Sequence, residues 1–279
     1  MLMLCATPDP QIFWDIPPLP TAFIVLAGIV YLCGWFHIRR TRPLELPVWR
    51  ACMLISGLTI LFLALASPVD TLADDLLLLH MTQHILLMSV VPPLIVLGAP
   101  VVPMLRGLPK WTIKKMVGPL LRWRALHQLV RKIVAPIPAL LLMNCAFLLW
   151  HIPAAYELAL RSEAWHNCEH LCFFFTSLLF WWKIIEPWPV RNPWSPWTKL
   201  GCMFVADVVN TAVSAFLCFC GTVVYPSYDR ALPMFGLTAR SDQSAAGAEM
   251  WVINSMIFLI PAMMIPLKAL APAFTRRMA

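Results

Sequence analysis

The sequence predicts an all-α membrane protein, a bundle of seven transmembrane helices with its N-terminus outside and its C-terminus cytoplasmic. Three observations carry that expectation. The 279 residues are 60% hydrophobic and only 13% charged, whereas a soluble domain is closer to about a quarter charged. Seven apolar stretches approach the length of about 20 residues that crosses a bilayer as a helix. The basic residues cluster between these stretches, as membrane topology requires.

Taken in order, the spans are expected at roughly 20–38, 48–66, 76–97, 133–150, 167–185, 200–221 and 248–267. The third is the least regular, because Pro92-Pro93 must kink it or end it near its far end. The fourth closes on Trp150-His151-Ile152-Pro153, with Tyr156 and Glu157 after it. The sixth carries Asp207 and, three residues on, Asn210 on the same face. Asp242-Gln243 precede the seventh, with Glu249-Met250-Trp251 at its mouth. Residues 1–19 lack a basic n-region with a continuous apolar core, so no signal peptide is expected.

Charge fixes the orientation. With the N-terminus outside, all but Arg161, Arg230 and Arg240 of the 21 Lys and Arg fall on the inner side, in accord with the positive-inside rule. His80, His84, His151, His166 and His170 then lie at the outer face, and only His37 and His127 lie inside. The net charge of +7 is therefore a matter of topology and does not point to nucleic acid. The inner loop 98–132 interleaves Trp111, Ile113, Met116, Val117, Leu120, Leu121 and Trp123 with Lys and Arg, and reads as an interfacial amphipathic segment against membrane lipid. Most of the nine cysteines lie in apolar runs, where cysteine is a small hydrophobe. No repeat and no Gly-rich phosphate loop is present, and residues 1–279 read as a single integral membrane domain.

Two boxes suggest chemistry: His80-Met81-Thr82-Gln83-His84 and His166-Asn167-Cys168-Glu169-His170. Each places two imidazoles at i and i+4, on one helix face, and imidazoles in lipid need partners. Both boxes descend from the outer surface, so their ligands can meet at one depth around a metal ion. His80, His84, His166 and His170 are the candidate ligands, with His151 and Met81 as secondary ones. Gln83 and Glu169 occupy equivalent positions and are expected to orient rings by hydrogen bonding. Asp207 and Asp242 are further polar candidates. Imidazole suits copper, zinc, iron and nickel, and soft sulfur tilts the choice to Cu(I); zinc is the competitor. Haem b is the alternative cofactor, although a spacing of four leaves room for one haem at most. His166-x-x-Glu169-His170 also has the inverzincin spacing, but Gln83 stands where the parallel box would need a general base.

The motif series as a whole resembles the CtaG-type assembly factors of caa3-type cytochrome c oxidase. It runs from His80-Met81-x-Gln83-His84 through Pro92-Pro93 and Leu97-Gly98-Ala99-Pro100 to Trp150-His151-x-Pro153-x-x-Tyr156. His166-x-x-Glu169-His170, Phe180-Trp181-Trp182, Tyr225-Pro226-x-Tyr228 and Asp242-Gln243 with Gly247 and Met250-Trp251 complete it. The resemblance covers about residues 50–265. It implies a seven-span, non-enzymatic protein of the bacterial plasma membrane that holds or passes copper at the outer face. Oxidase subunits, other copper chaperones and membrane lipid are the implied partners, with no nucleic acid. A b-type haem cytochrome, a copper transporter and a cofactor-free scaffold are the rival functions.

Overall fold

The computed structural model describes residues 14–189, 194–229 and 236–277, and these contain helices and connections with no strand. Eight helices organise them: α1 (Pro18–Arg39), α2 (Val48–Ala66), α3 (Leu77–Leu97), α4 (Pro136–Trp150), α5 (Pro153–Arg161), α6 (Glu163–Ile185), α7 (Pro196–Phe219) and α8 (Ala239–Arg277). Among the described residues, α1, α2, α3, α6, α7 and α8 as far as Leu267 are long and apolar enough to cross a membrane. Their starts follow local chemistry. Proline stands in the first turn of α1, α4, α5 and α7, where its missing N–H has no intrahelical partner to lose. Ser195 caps α7 by accepting the Thr198 N–H at 3.2 Å.

The fourth apolar stretch ends at Trp150, as expected, but starts at Pro136 and not at 133. It is a helix of 15 residues, α4, which turns by 75° into α5. The cause is local: Pro153 cannot donate back into the preceding turn, so the chain breaks at His151-Ile152 and restarts with Pro153. At 1.5 Å per residue α4 covers about 22 Å, short of the ~30 Å hydrocarbon core. Two other ends also move. α6 begins at Glu163, ahead of the expected 167, and α8 begins at Ala239, ahead of 248. Hydropathy places Asp242 and Gln243 outside a helix, yet both are buried within α8, because neighbouring backbone groups take their hydrogen bonds.

α3 is the central helix. Of its apolar window 61% is buried, against 17% for α1 and for α8. On those two outer helices Phe23, Ile29, Phe36, Leu259, Ile260 and Met263 stay exposed, apolar side chains suited to lipid. α7 and α8 pack tightly at Gly247, where a Cβ would stand 2.7 Å from Ser214 O and 2.5 Å from Cys218 N. The 98–132 segment forms short helices, including Val101–Gly107 and Arg124–Ile133. Trp111, Met116, Leu120 and Trp123 are exposed there beside Lys110, Lys114, Lys115 and Arg122.

Pro92-Pro93 do not end α3. The helix widens into a π-turn over Leu86–Val90 and continues to Leu97. The carbonyl of Met88 would accept from residue 92 in an α-turn or from residue 93 in a π-turn, and both are proline. Trp181 of α6 supplies the missing donor: its indole N–H reaches Met88 O at 3.0 Å. The Ser89 hydroxyl meets the Asn254 side chain of α8 at the same level. The double proline thus leaves a carbonyl in the bundle interior that a neighbouring helix must satisfy.

Replacing Trp181 by Phe should therefore lower stability by about 1–3 kcal/mol, the cost of an unsatisfied buried acceptor, read as a lower unfolding temperature in detergent. In a Pro92→Ala background, which restores a backbone donor, the same replacement should cost less. An equal cost in both backgrounds would show that only ring packing is involved.

Candidate metal centre

The first turn of α3 has no capping side chain of its own. Asp242, from the first turn of α8, takes that role: the Leu77 N–H donates to its Oδ2 at 2.7 Å and the Leu78 N–H to its Oδ1 at 3.1 Å. Carboxylates are favoured at helix N-termini, where the backbone donors are unpaired. Gln243 ties the neighbouring connection. It accepts the Val224 N–H at 2.7 Å and donates to Thr222 O and Leu217 O. Glu157 of α5 accepts from the Ser227 N–H and hydroxyl at 3.0 and 2.6 Å, which anchors the short helix Pro226–Asp229.

Inside this frame α3 and α6 bring both histidine boxes to one place. His80 and His84 are buried, as are Glu169 and His170, while His166 is half-buried. Ring centroids lie 4.4 Å apart for His80–His84, 5.3 Å for His80–His166, 4.2 Å for His166–His170 and 5.7 Å for His84–His170. His151, at the α4–α5 bend, comes within 6.1 Å of His84. Glu169 stands between the boxes: its Oε2 is 3.9 Å from His80 Nε2 and its Oε1 is 3.7 Å from His84 Nε2. Ligand atoms of His80, His84 and His170 lie within 4.8 Å of one another, as do those of His80, His166 and Glu169.

Hydrogen bonds settle two tautomers. The carbonyl of Phe147, 2.8 Å from His151 Nδ1, can only accept, so Nδ1 carries the proton and Nε2 keeps its lone pair. Tyr228 does the same for His80. Its hydroxyl donates to Ala73 O at 3.0 Å, and His80 Nδ1 and the Tyr156 hydroxyl each lie 3.1 Å from its oxygen. One phenol proton serves Ala73, and the two lone pairs accept from His80 and Tyr156. His80 Nε2 is left bare. Holding Nδ1–H so that Nε2 is basic is the usual support for an imidazole that binds metal. Tyr225 stacks on Tyr156 at 4.0 Å and donates to His151 O at 3.1 Å, which closes the wall.

The atoms so presented have no hydrogen-bond partner among the described residues. They are Nε2 of His80, His84, His151, His166 and His170, Nδ1 of His84, and both carboxylate oxygens of Glu169. Unsatisfied buried polar groups are costly and rare, and a set of them facing one another matches what a metal ion would satisfy. The donor set is imidazole nitrogen and carboxylate oxygen; no cysteine joins either group among the described residues. A cavity of about 30 Å³ adjoins His84, lined in part by Met88, Met143, Asn144 and Met250.

The other candidates lie apart. Met81 is buried in an apolar cluster with Leu77, Ile85, Phe147 and Tyr156. Gln83 turns away from the imidazoles and donates to Ala64 O at 2.7 Å and Asp70 Oδ1 at 2.5 Å. Burial pushes the Asp70 carboxyl up, while the Gln83 bond and nearby His166 pull it down. Asp207 accepts from the Ser255 hydroxyl at 2.8 Å, between α7 and α8. Residues 190–193 and 230–235, with Arg191 and Arg230, lie outside the described residues, and so does the His127 side chain. The sequence reading did not single out Tyr228 as a site residue. The repeated tyrosines of Tyr225-Pro226-x-Tyr228 were the available signal, but no spacing rule connects Tyr228 to a histidine 148 residues away.

Comparison with known proteins gives a family match. The family model described as cytochrome c oxidase caa3 assembly factor matches residues 29–270. An uncharacterized protein of Mycobacterium leprae is 24% identical over 258 residues, covering 90% of this chain and 39% of its own length. Uncharacterized proteins of Mycobacterium bovis and Mycobacterium tuberculosis are each 26% identical over 249 residues, covering 87% of this chain and 37% of theirs. The chain thus spans about two-fifths of the curated relatives it matches. No solved structure matches it.

Asp242→Ala should remove both acceptors from the start of α3 and cost about 1–3 kcal/mol, measured by thermal unfolding in detergent. Asp242→Asn, which keeps one acceptor oxygen, should fall between the two. If the alanine variant unfolds with the parent protein, the cap does not hold α3.

Proposed function

We propose, from the premise that this chain belongs to the cytochrome c oxidase caa3 assembly factor family, that it holds copper for the oxidase at the outer face of a bacterial plasma membrane. The ligands are His80, His84, His166, His170 and His151, with Glu169 among them. In this reading the bent pair α4–α5 serves as one span, giving seven spans with the N-terminus outside. The role is non-catalytic, and the partners are oxidase subunits that receive the metal.

One observation carries the reading: a cluster of buried imidazole nitrogens, two with their tautomer set by a second hydrogen bond, that face one another without partners. Copper is favoured because imidazole binds it well and because the family serves an oxidase. The packing of the rings favours a bare ion over haem. His80 touches His84, His166 and Tyr156 at centroid distances of 4.4, 5.3 and 5.1 Å, which leaves no slot for a macrocycle beside it. His166 is the least buried of the five, so exchange with a partner would begin there, one ligand at a time.

Copper should co-purify with the full chain in detergent. The pair His84→Ala with His170→Ala should weaken copper binding by more than about 100-fold, and Tyr228→Phe should weaken it by about 10–100-fold. Competition titration measures both. Cells carrying the double variant should assemble an oxidase depleted of copper. Absence of copper from the parent protein, or equal affinity in the double variant, overturns the reading, and a stoichiometric Soret band would replace copper with haem.

A further inference from the structure

We infer that the site is binuclear, holding two copper ions bridged by the Glu169 carboxylate, one bound by His80 and His166 and the other by His84 and His170. The inference rests on the metal-binding reading above and adds to it a stoichiometry and a bridging role for Glu169.

The donors are too many for one ion. Six imidazole nitrogens on five rings and two carboxylate oxygens are without partners, whereas a tetrahedral protein metal site takes about four ligands. They also divide. His80 lies in both triads, His80/His84/His170 and His80/His166/Glu169, but it has a single nitrogen to give, because Nδ1 faces Tyr228. Assigning His80 Nε2 to His166 leaves His84 and His170 for a second position.

Glu169 is placed to join the two. Its oxygens point at different histidines, Oε2 toward His80 at 3.9 Å and Oε1 toward His84 at 3.7 Å. An ion with bonds of about 2.0–2.1 Å in tetrahedral geometry holds its ligand atoms about 3.3 Å apart, so these two carboxylate–imidazole contacts need to close by roughly half an ångström. The other ligand atoms, within 4.8 Å of one another, need to close by more. A carboxylate split in this way spans a metal pair about 3.5–4 Å apart. His151, with Nε2 bare and its ring 6.1 Å from His84, stands on the side of the second position.

The test is copper stoichiometry with magnetic coupling on the full chain in detergent. Loaded with Cu(II), the parent protein should hold two ions per chain by metal analysis. Its paramagnetic resonance signal should integrate to less than half of that copper, because bridged Cu(II) ions pair their spins. Glu169→Gln should fall to one ion per chain, and Glu169→Asp, whose shorter carboxylate cannot reach both positions, should do the same. Should either variant fail to fold, the parent's stoichiometry and signal still decide. One ion in the parent with a full resonance signal overturns the pair while leaving the copper reading intact. Two ions with full, uncoupled signals overturn the bridge. No bound copper overturns both readings.

Discussion

A polar group buried among apolar helices must find a partner inside the bundle, since no water is there to serve it, and this constraint organises everything around the two boxes. Two sets of buried polar side chains surround the boxes. One set is spent on backbone: Asp242 on the first amides of α3, Gln243 on the end of α7 and the connection after it, and Trp181 on the carbonyl that Pro92 and Pro93 leave open. The other set faces itself: five imidazoles and Glu169. The first set fixes α3, α6, α7 and α8 in depth and rotation, so that the second set converges.

That division explains why residues far from the cluster are part of its construction. Asp242 touches no histidine, yet it holds the first turn of α3, and His80 sits only three residues beyond Leu77. Glu157 touches none either, but through Ser227 it fixes the short helix that carries Tyr228, and Tyr228 decides which nitrogen of His80 is bare. Each link is an ordinary hydrogen bond. Their joint effect is to hold the rings before any ligand arrives, so that ordering cost is met by the fold.

Much of this was legible in the sequence, and the illegible part has a physical reason. Hydropathy finds the helices, and the i, i+4 spacing puts His80 with His84 and His166 with His170 on their faces. Hydropathy also misjudges ends wherever a polar residue is buried with a partner distant in sequence, as at Asp242, which pairs with Leu77 across 165 residues. It ends the fourth span at Trp150, ahead of Pro153, but does not give the 75° turn into α5, because a break in a helix does not fix the direction in which the chain leaves it. Tyr228 was visible as a residue but not as a partner of His80, since a loop's contacts follow from where the helices place it.

The least readable feature is the different fate of Gln83 and Glu169, which occupy the same position in their boxes. Successive residues of a helix are rotated by about 100°, so the residue at i+3 and the one at i+4 flank the residue at i on opposite sides. On α3 the face toward the cluster is centred between His80 and His84, which turns Gln83 aside to Ala64 and Asp70. On α6 it is centred between Glu169 and His170, which draws the carboxylate inward to His80 and His84. The two helices present the same motif at different rotations about their axes. Their neighbours differ accordingly: Ala64 of α2 and Asp70 of the short helix Pro68–Ala73 receive the Gln83 amide, whereas Glu169 faces His80 and His84. Two boxes that look alike along the chain therefore contribute unlike groups, two imidazoles from α3 and two imidazoles with a carboxylate from α6.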